Sequence, residues 1–277
     1  MVEADESDRS LIELEVQVAV VLNVELDHAD VFASIEELRA LFSLFLDRAP
    51  RAIVADADDL RGLRADADPV APRDLRLGRG TSTFEVLGRR IELAVPGEHN
   101  AHDGALAYAA ALAAGADGEL AARGLHEFPG AGRRFQLDGT RRGASIYEDY
   151  AHHPTEVAAI LAAARTLEPR RLVAVFQPHM FSRTRLFAAE FAEALSGADV
   201  VTVLDVYPAR ERQVDHPGVS GLLVARAVAR IRPGMPVIWA PTLDGAFELL
   251  DRELRDGDLC VVMGAGNVDT LAHRLAA

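Results

Sequence analysis

The chain has 277 residues, 49% of them hydrophobic and 26% charged, which suits one large or two medium domains with real cores. Its formal charge of −14 argues against nucleic acid or an anionic membrane surface as a partner bound through bulk electrostatics. The single cysteine, Cys260, excludes an internal disulfide, speaks against a cysteine-based zinc site, and favours a reducing, cytoplasmic setting. All 29 basic residues are arginine, so the chain holds no Walker A lysine, no Schiff-base lysine and no lysine general base. The acidic start MVEADESDRS is not a signal peptide, and the alanine-rich segments are broken by Arg, Glu and Gly before they reach the length of a membrane span.

In chain order, VQVAVVL (16–22) reads as a buried strand and is followed by NVELDH (23–28). The Asp/Arg-rich stretch 56–80 reads as an exposed excursion. TSTFEVLGRRIELAV (81–95) alternates around a Gly-Arg-Arg break, the pattern of an antiparallel hairpin. Helical period returns in NAHDGALAYAAALAAGAD and in a shorter stretch after it. PGAG (129–132) then marks a domain boundary, giving domains 1–128 and 129–277.

The second half alternates strand and helix. After ASI comes YEDYAHHP (147–154), then the helical TEVAAILAAARTLEP, the strand RRLVAVF (170–176) and the helical LFAAEFAEALSG. ADVVTVL (198–204), the helical GVSGLLVARAVARIRPG, MPVIWA (235–240) and DLCVVM (258–263) complete the pattern. Strands hydrophobic on both faces, with helices between them, predict an α/β architecture and a mostly parallel sheet.

Polar, ionisable groups follow five strands: NVELDH, YEDYAHHP, QPHMFSRTR (177–185), DVYPARE (205–211) and GAGN (264–267). In an open parallel sheet the carboxyl ends of strands form the ligand crevice. Taken singly, each motif also has a plain reading. His152 and His153 fit helix-cap or surface histidines, and Asp149 and Tyr150 fit capping and packing. Asp27 and His28 fit a surface pair. GAGN lacks the third glycine of a dinucleotide fingerprint, with Asp269 in its place. Arg133 and Arg134 fit either a solvated pair or a phosphate clamp, and Arg183 and Arg185 could serve an anionic substrate. Pro154 and Glu156 suit the first turn of the following helix.

As an ordered set, VEADESD (2–8), VVLNVELDHAD (20–30), VPGEHNAHDGALA (95–107), GAGRRFQLDG (130–139), YEDYAHHPTE, VFQPHMFSRTR, DVYPARE and MGAGN resemble the Mur ligase family. The similarity runs through essentially the whole chain. It leans towards the branch that joins L-alanine to UDP-N-acetylmuramate rather than the tripeptide-recycling branch. It implies a partial P-loop-type central ATPase domain (1–128) followed by a Rossmann-like C-terminal ligase domain (129–277). The uridine-binding domain and the Gly-Lys-Thr loop of the family are not matched, and Met1-Val2 looks like the end of the strand leading to Glu3.

The resemblance implies ATP and Mg2+ as cofactors and UDP-N-acetylmuramate and L-alanine as substrates. It implies a cytoplasmic monomer or weak dimer, bound to neither nucleic acid nor membrane. Glu3 and His28 would hold magnesium, and Asn100 would lie near the adenine. Arg134 would reach the phosphates, Asp149 the ribose, and Tyr150 the nucleotide cleft. His152, His179 and Arg183 would be the catalytic groups, His152 lining the nucleotide and substrate cleft with Tyr150, and His179 and Arg183 facing the carboxylate-bearing end of the substrate. The chain departs from the family pattern at Asp103 and Met180. A non-catalytic nucleotide-binding module is the reading from another class, and a metal hydrolase built on His28, His152 and His179 is a third.

Overall fold

The computed structural model describes residues 1–27 and 31–277. The chain divides into two compact units, Met1–Pro129 and Gly130–Ala277.

In the first unit, strand β1 (Val18–Val21) pairs in parallel with β2 (Arg51–Ala55), which pairs in parallel with β3 (Asp68–Val70). VQVAVVL thus supplies an edge strand. A second, antiparallel sheet orders β4 (Arg73–Leu77), β5 (Ser82–Val86) and β6 (Arg89–Leu93). Helix α1 (Ile35–Arg48) starts at Ser34, whose hydroxyl accepts the Glu37 N–H, a cap that satisfies one orphan donor of the first turn. Helix α2 (Glu98–Ala113) and the short α3 (Gly118–His126), capped by Asp117, complete the unit. Phe32, Leu46, Leu60, Phe84, Ile91 and Leu106 form the centre of its core.

The stretch 56–80 is not a plain excursion. It contributes β3 and β4, and its apolar members Leu60, Leu63 and Val70 are buried. The aspartates and arginines between them mask this small apolar set from a reading by composition.

The second unit is built on one six-stranded sheet in the order β11-β10-β9-β12-β8-β7. Its strands are β7 (Gln136–Arg141), β8 (Ala144–Asp149), β9 (Arg171–Phe176), β10 (Val200–Val203), β11 (Val237–Trp239) and β12 (Asp258–Met263). All neighbours run parallel except β7, which closes one edge as an antiparallel partner of β8.

Alternate residues of each central strand feed two separate cores, as strand periodicity requires. Leu172, Ala174, Phe176, Val261 and Met263 pack with α4 (Pro154–Arg165), α6 (Ala188–Leu195) and α7 (Gly221–Ile231). Val173, Val175, Cys260 and Val262 pack with α8 (Leu243–Glu253) and α9 (Asp269–Ala276) on the other face. This is the doubly wound α/β arrangement expected from the sequence.

The segment LFAAEFAEALSG does not form one helix. A short α5 (Phe181–Leu186) ends at Phe187, and α6 begins again at Ala188. Asp205, at the exit of β10, accepts the N–H of Gly221 (2.8 Å) and of Val206 (3.0 Å), tying the start of α7 to the sheet. Among the described residues no helix is long and apolar enough to cross a membrane.

Candidate functional site

The carboxyl ends of β8, β12, β9 and β10 lie side by side, so the segments leaving them share one rim of the sheet. In doubly wound folds that rim carries the ligand crevice, because the chain must turn there with polar backbone groups exposed.

At the end of β8, Asp149 is 1% exposed. Its Oδ2 accepts the Phe135 N–H at 2.7 Å and its Oδ1 accepts the Ala151 N–H at 2.6 Å. Burial pushes this carboxyl up to about 6, against the two backbone donors that favour its charged form. The next residue, Tyr150, donates its N–H to Arg133 O at 2.8 Å. Its ring has two guanidinium carbons near its face, Arg133 at 4.9 Å and Arg134 at 5.5 Å from the centroid, within cation–π range.

The two arginines then part. Arg133 Nε donates to buried Glu148 Oε1 at 2.5 Å, and its Nη2 reaches Gly264 O at 3.3 Å. Arg134 keeps a side chain 52% exposed, with Glu156 at 3.9 Å. Only one of the pair therefore has the freedom of a phosphate clamp.

His152 and His153 diverge as well. The backbone N–H groups of both donate to Glu156 Oε2, at 2.8 and 3.0 Å, in the capping box that opens α4 with Pro154 at its first position. The His152 ring turns to the crevice: its Nδ1 lies 3.1 Å from Tyr150 O, and the ring centroid sits 5.4 Å from Tyr150 and 5.9 Å from His179. His153 packs instead edge-on to Phe187.

The exits of β9 and β10 are zipped for several residues beyond the sheet. Tyr207 N–H donates to Pro178 O at 2.8 Å, and Met180 N–H donates to Tyr207 O at 2.9 Å. His179 consequently stacks on Tyr207, centroids 5.8 Å apart and 11° between planes, with its Nδ1 3.0 Å from Arg183 Nη1. Arg183 sits on α5 and is 6% exposed.

From β12, Gly264 N–H donates to Asp149 O at 3.1 Å. Gln177 Nε2 donates to Asn267 Oδ1 at 3.0 Å, while Gln177 Oε1 is buried without a hydrogen-bond partner. A Cβ on Gly266 would lie 2.5 Å from that oxygen and 2.5 Å from Tyr207 Cγ. Glycine is therefore required for the β12 exit to approach Gln177 and Tyr207 this closely.

Arg134, Asp149, Tyr150, His152, His179 and Arg183 thus gather on one rim of the second unit. Two of the remaining candidates belong to the first unit. Asn100 lies in the first turn of α2 in the first unit, where its Nδ2 donates to Pro96 O at 2.6 Å. Glu3 is exposed near the N-terminus, and among the described residues it belongs to no cluster of three metal-ligating side chains. His28 lies outside the described residues.

The sequence reading did not single out Gln177, Tyr207 or Gly266. The available signal was their position in the strand exits QPH, DVYP and GAGN, where a buried amide or a required glycine leaves no periodic trace. Asp205, in the same DVYPARE stretch, serves the start of α7 rather than the crevice.

Chemically, the rim offers arginine cations, two imidazoles, a carboxyl that ionises only as pH rises through about 6, and an unsatisfied amide oxygen. That set suits anionic ligands carrying hydroxyl or amino donors. Cys260, fully buried mid-sheet with its thiol pushed up to about 12 by burial, lies outside it.

The pattern described as Mur ligase, glutamate ligase domain, matches residues 133–266. A UDP-N-acetylmuramate–L-alanine ligase of Thermobifida fusca is 39% identical over 306 residues, covering 99% of this chain and 64% of that protein. The like-named protein of Kineococcus radiotolerans is 46% identical over 293 residues, covering 97% and 61%. This chain therefore spans a little under two thirds of these relatives. Among solved structures, a UDP-N-acetylmuramate-alanine ligase of Thermotoga maritima superposes with a TM-score of 0.79 at 22% identity, covering 99% of this chain and 62% of that one. A Mycobacterium tuberculosis folylpolyglutamate synthase, complexed with ADP, gives 0.68 at 21% identity, covering 94% and 63%.

Proposed function

We propose, for a chain that belongs to the Mur ligase family, that it contributes to the ATP-dependent joining of L-alanine to UDP-N-acetylmuramate, a cytoplasmic step in making peptidoglycan precursors. Met1–Pro129 is read as part of the central ATPase domain and Gly130–Ala277 as the Rossmann-like ligase domain. The observation that carries the reading is the gathering of Arg134, Asp149, Tyr150, His152, His179 and Arg183 at one sheet rim, in a chain 39% identical along its length to an alanine ligase. The likeness to such ligases favours this over the non-catalytic module and the metal hydrolase. The tripeptide-recycling alternative gains less support, since relatives 39% and 46% identical to the chain bear the alanine-ligase name.

The rim fits part of a nucleotide. Asp149 is ionised above about pH 6 and each of its oxygens, already holding one N–H, keeps a further lone pair for a hydroxyl donor. Tyr150 and Arg134 offer a ring face and a cation for a phosphate-bearing group. Gln177 Oε1, buried beside Gly266 and Tyr207 without a hydrogen-bond partner, is an acceptor left over at the same rim. ATP, when bound, would supply the phosphoryl group that activates a carboxylate towards the amine. Asn100, on the first unit, is assigned to the adenine by family likeness.

His179 and Arg183 form a linked donor pair, which positions a carboxylate and balances its charge. His152 stands beside them at the mouth of the crevice. Such positioning and charge neutralisation are the protein's main contributions to a phosphoryl-dependent ligation. For Mg2+, the family likeness points to Glu3 and His28. Such an ion, when bound, would balance phosphate charge during the transfer.

The test is phosphate release from ATP in the presence of UDP-N-acetylmuramate, with L-alanine or another amino acid. The chain has no lysine, so the assay includes the family's Gly-Lys-Thr segment, supplied on the same or a separate polypeptide. L-Alanine-dependent release, reduced at least tenfold by His179→Ala or Arg183→Ala, is the expected result. Release that ignores L-alanine, or prefers another amino acid, overturns the assignment.

A further inference from the structure

On the α9 face of the second sheet lies a cluster that the ligation reading does not use. Asp138 of β7, Glu148 of β8 and His273 of α9 each present one ligating atom, and these atoms lie within 4.8 Å of one another. His273 Nε2 is 3.6 Å from Glu148 Oε2 and 3.9 Å from Asp138 Oδ2. We propose that these three side chains bind a divalent cation of the zinc class, on the opposite side of β8 from the Asp149 carboxylate.

The fold builds the cluster deliberately. The β7–β8 register shifts between Leu137 and Gly139, making Asp138 the extra residue of a β-bulge. Bulges re-aim a side chain at a sheet edge. The neighbouring Gly139 lets α9 approach: a Cβ there would lie 2.9 Å from Ala276 Cβ and 3.2 Å from Ala276 O. His273, one turn before Ala276, is thereby brought over Asp138.

The two acids are buried in a way that calls for a cation. Their side chains are 3% and 1% exposed. Each has one oxygen anchored and one turned to the imidazole. Asp138 Oδ1 accepts from Gln136 Nε2 at 2.9 Å, and Glu148 Oε1 accepts from Arg133 Nε at 2.5 Å. Asp138 Oδ2 is buried with no hydrogen-bond partner. Leaving a buried carboxylate oxygen unsatisfied is costly, and one arginine does not balance two carboxylates.

Outer partners that hold one carboxylate oxygen and present the other are the usual support of a metal site. With bonds of about 2.0–2.1 Å, neighbouring ligands of a small tetrahedral ion stand about 3.4 Å apart; the two His273 spacings, 3.6 and 3.9 Å, lie near that value, and the Asp138–Glu148 pair lies within 4.8 Å. One imidazole with two carboxylates favours Zn2+ over the all-oxygen preference of Mg2+. The fourth position is open to water, because His273 is 61% exposed at the surface.

The experiment is calorimetric titration of the chelator-treated 277-residue chain with Zn2+, in parallel with Mg2+. One Zn2+ per chain with a micromolar or tighter Kd is expected, with Mg2+ at least a hundredfold weaker. His273→Ala, at an exposed position that leaves the fold intact, should weaken Zn2+ at least tenfold, as should the isosteric Asp138→Asn. Co2+ bound in place of Zn2+ should give the intense visible bands of tetrahedral coordination. Absence of binding at 1 mM Zn2+ refutes the site. So does zinc binding unchanged by His273→Ala, since the ion would then sit on other surface histidines.

Discussion

Burial of Asp149 should make the second unit lose stability as pH rises through the weakly acidic range, opposite to most paired carboxylates. In the folded protein its carboxyl stands at about 6, against an ordinary value of 3.8. A raised folded-state value means that the native state holds the proton more tightly than the unfolded chain. The stabilisation is complete below about pH 3.8 and is lost as pH rises through about 6. A difference of about two pH units corresponds to about 3 kcal/mol.

Trp239, the sole tryptophan, lies on β11 and reports on this unit. Urea unfolding of the chain and of Asp149→Asn, followed by its fluorescence from pH 4 to 7.5, isolates the effect because the other carboxylates cancel in the difference. The wild-type stability should fall relative to the variant by about 2–3 kcal/mol over that range. The variant's absolute offset is a separate matter: an amide has one acceptor oxygen for two backbone donors. A pH-independent difference, or a carbon-13 titration of the Asp149 carboxyl centred below pH 4.5, would refute the reasoning.

Removing the guanidinium of Arg133 strands Glu148, 1% exposed, beside Asp138. Arg133→Ala should therefore cost about 3 kcal/mol in urea unfolding, and Glu148→Gln in the same background should recover part of it. The thiol of Cys260, pushed up to about 12 and fully buried, should resist an aromatic disulfide reagent in the native state at pH 8 and react fully in denaturant. Labelling of the native protein at the rate of a free thiol would place Cys260 outside the sheet core.

Much of the second unit was legible because its strands are hydrophobic on both faces. RRLVAVF, ADVVTVL and DLCVVM carry no alternation to mislead, and each became a central or near-central strand. The strand exits at the shared rim were legible for a related reason: ionisable groups placed just after apolar runs mark them. What escaped notice depends on long-range pairing. β7 is the half-exposed edge strand QLDGTR, whose bulge at Asp138 exists only in register with β8. The divergence of Arg133 and Arg134 likewise follows from Glu148, fifteen positions later, and His273 beyond it. In the first unit, small apolar sets between charged residues form β3 and β4, and local composition cannot weigh their burial.

Glu148 and Asp149 are consecutive, each 1% exposed, and strand alternation sends them to opposite faces of β8. Yet they are held by different means. Glu148 holds a guanidinium and shares one imidazole with Asp138, so its partners are side chains, one arginine serving two buried acids. Asp149 is held by backbone N–H groups from Phe135 and Ala151, with the Arg134 cation only a lesser influence. Backbone donors orient a carboxylate without cancelling its charge, which is why burial still dominates and keeps its proton affinity high. The same donors fix the chain on both sides of Tyr150, because Phe135 follows the arginine pair and Ala151 precedes the histidines. One buried acid thus holds the two segments of the crevice in register while remaining the group in the rim whose charge is least compensated. A ligand hydroxyl or amine reaching Asp149 would gain more there than at a carboxylate already paired with arginine.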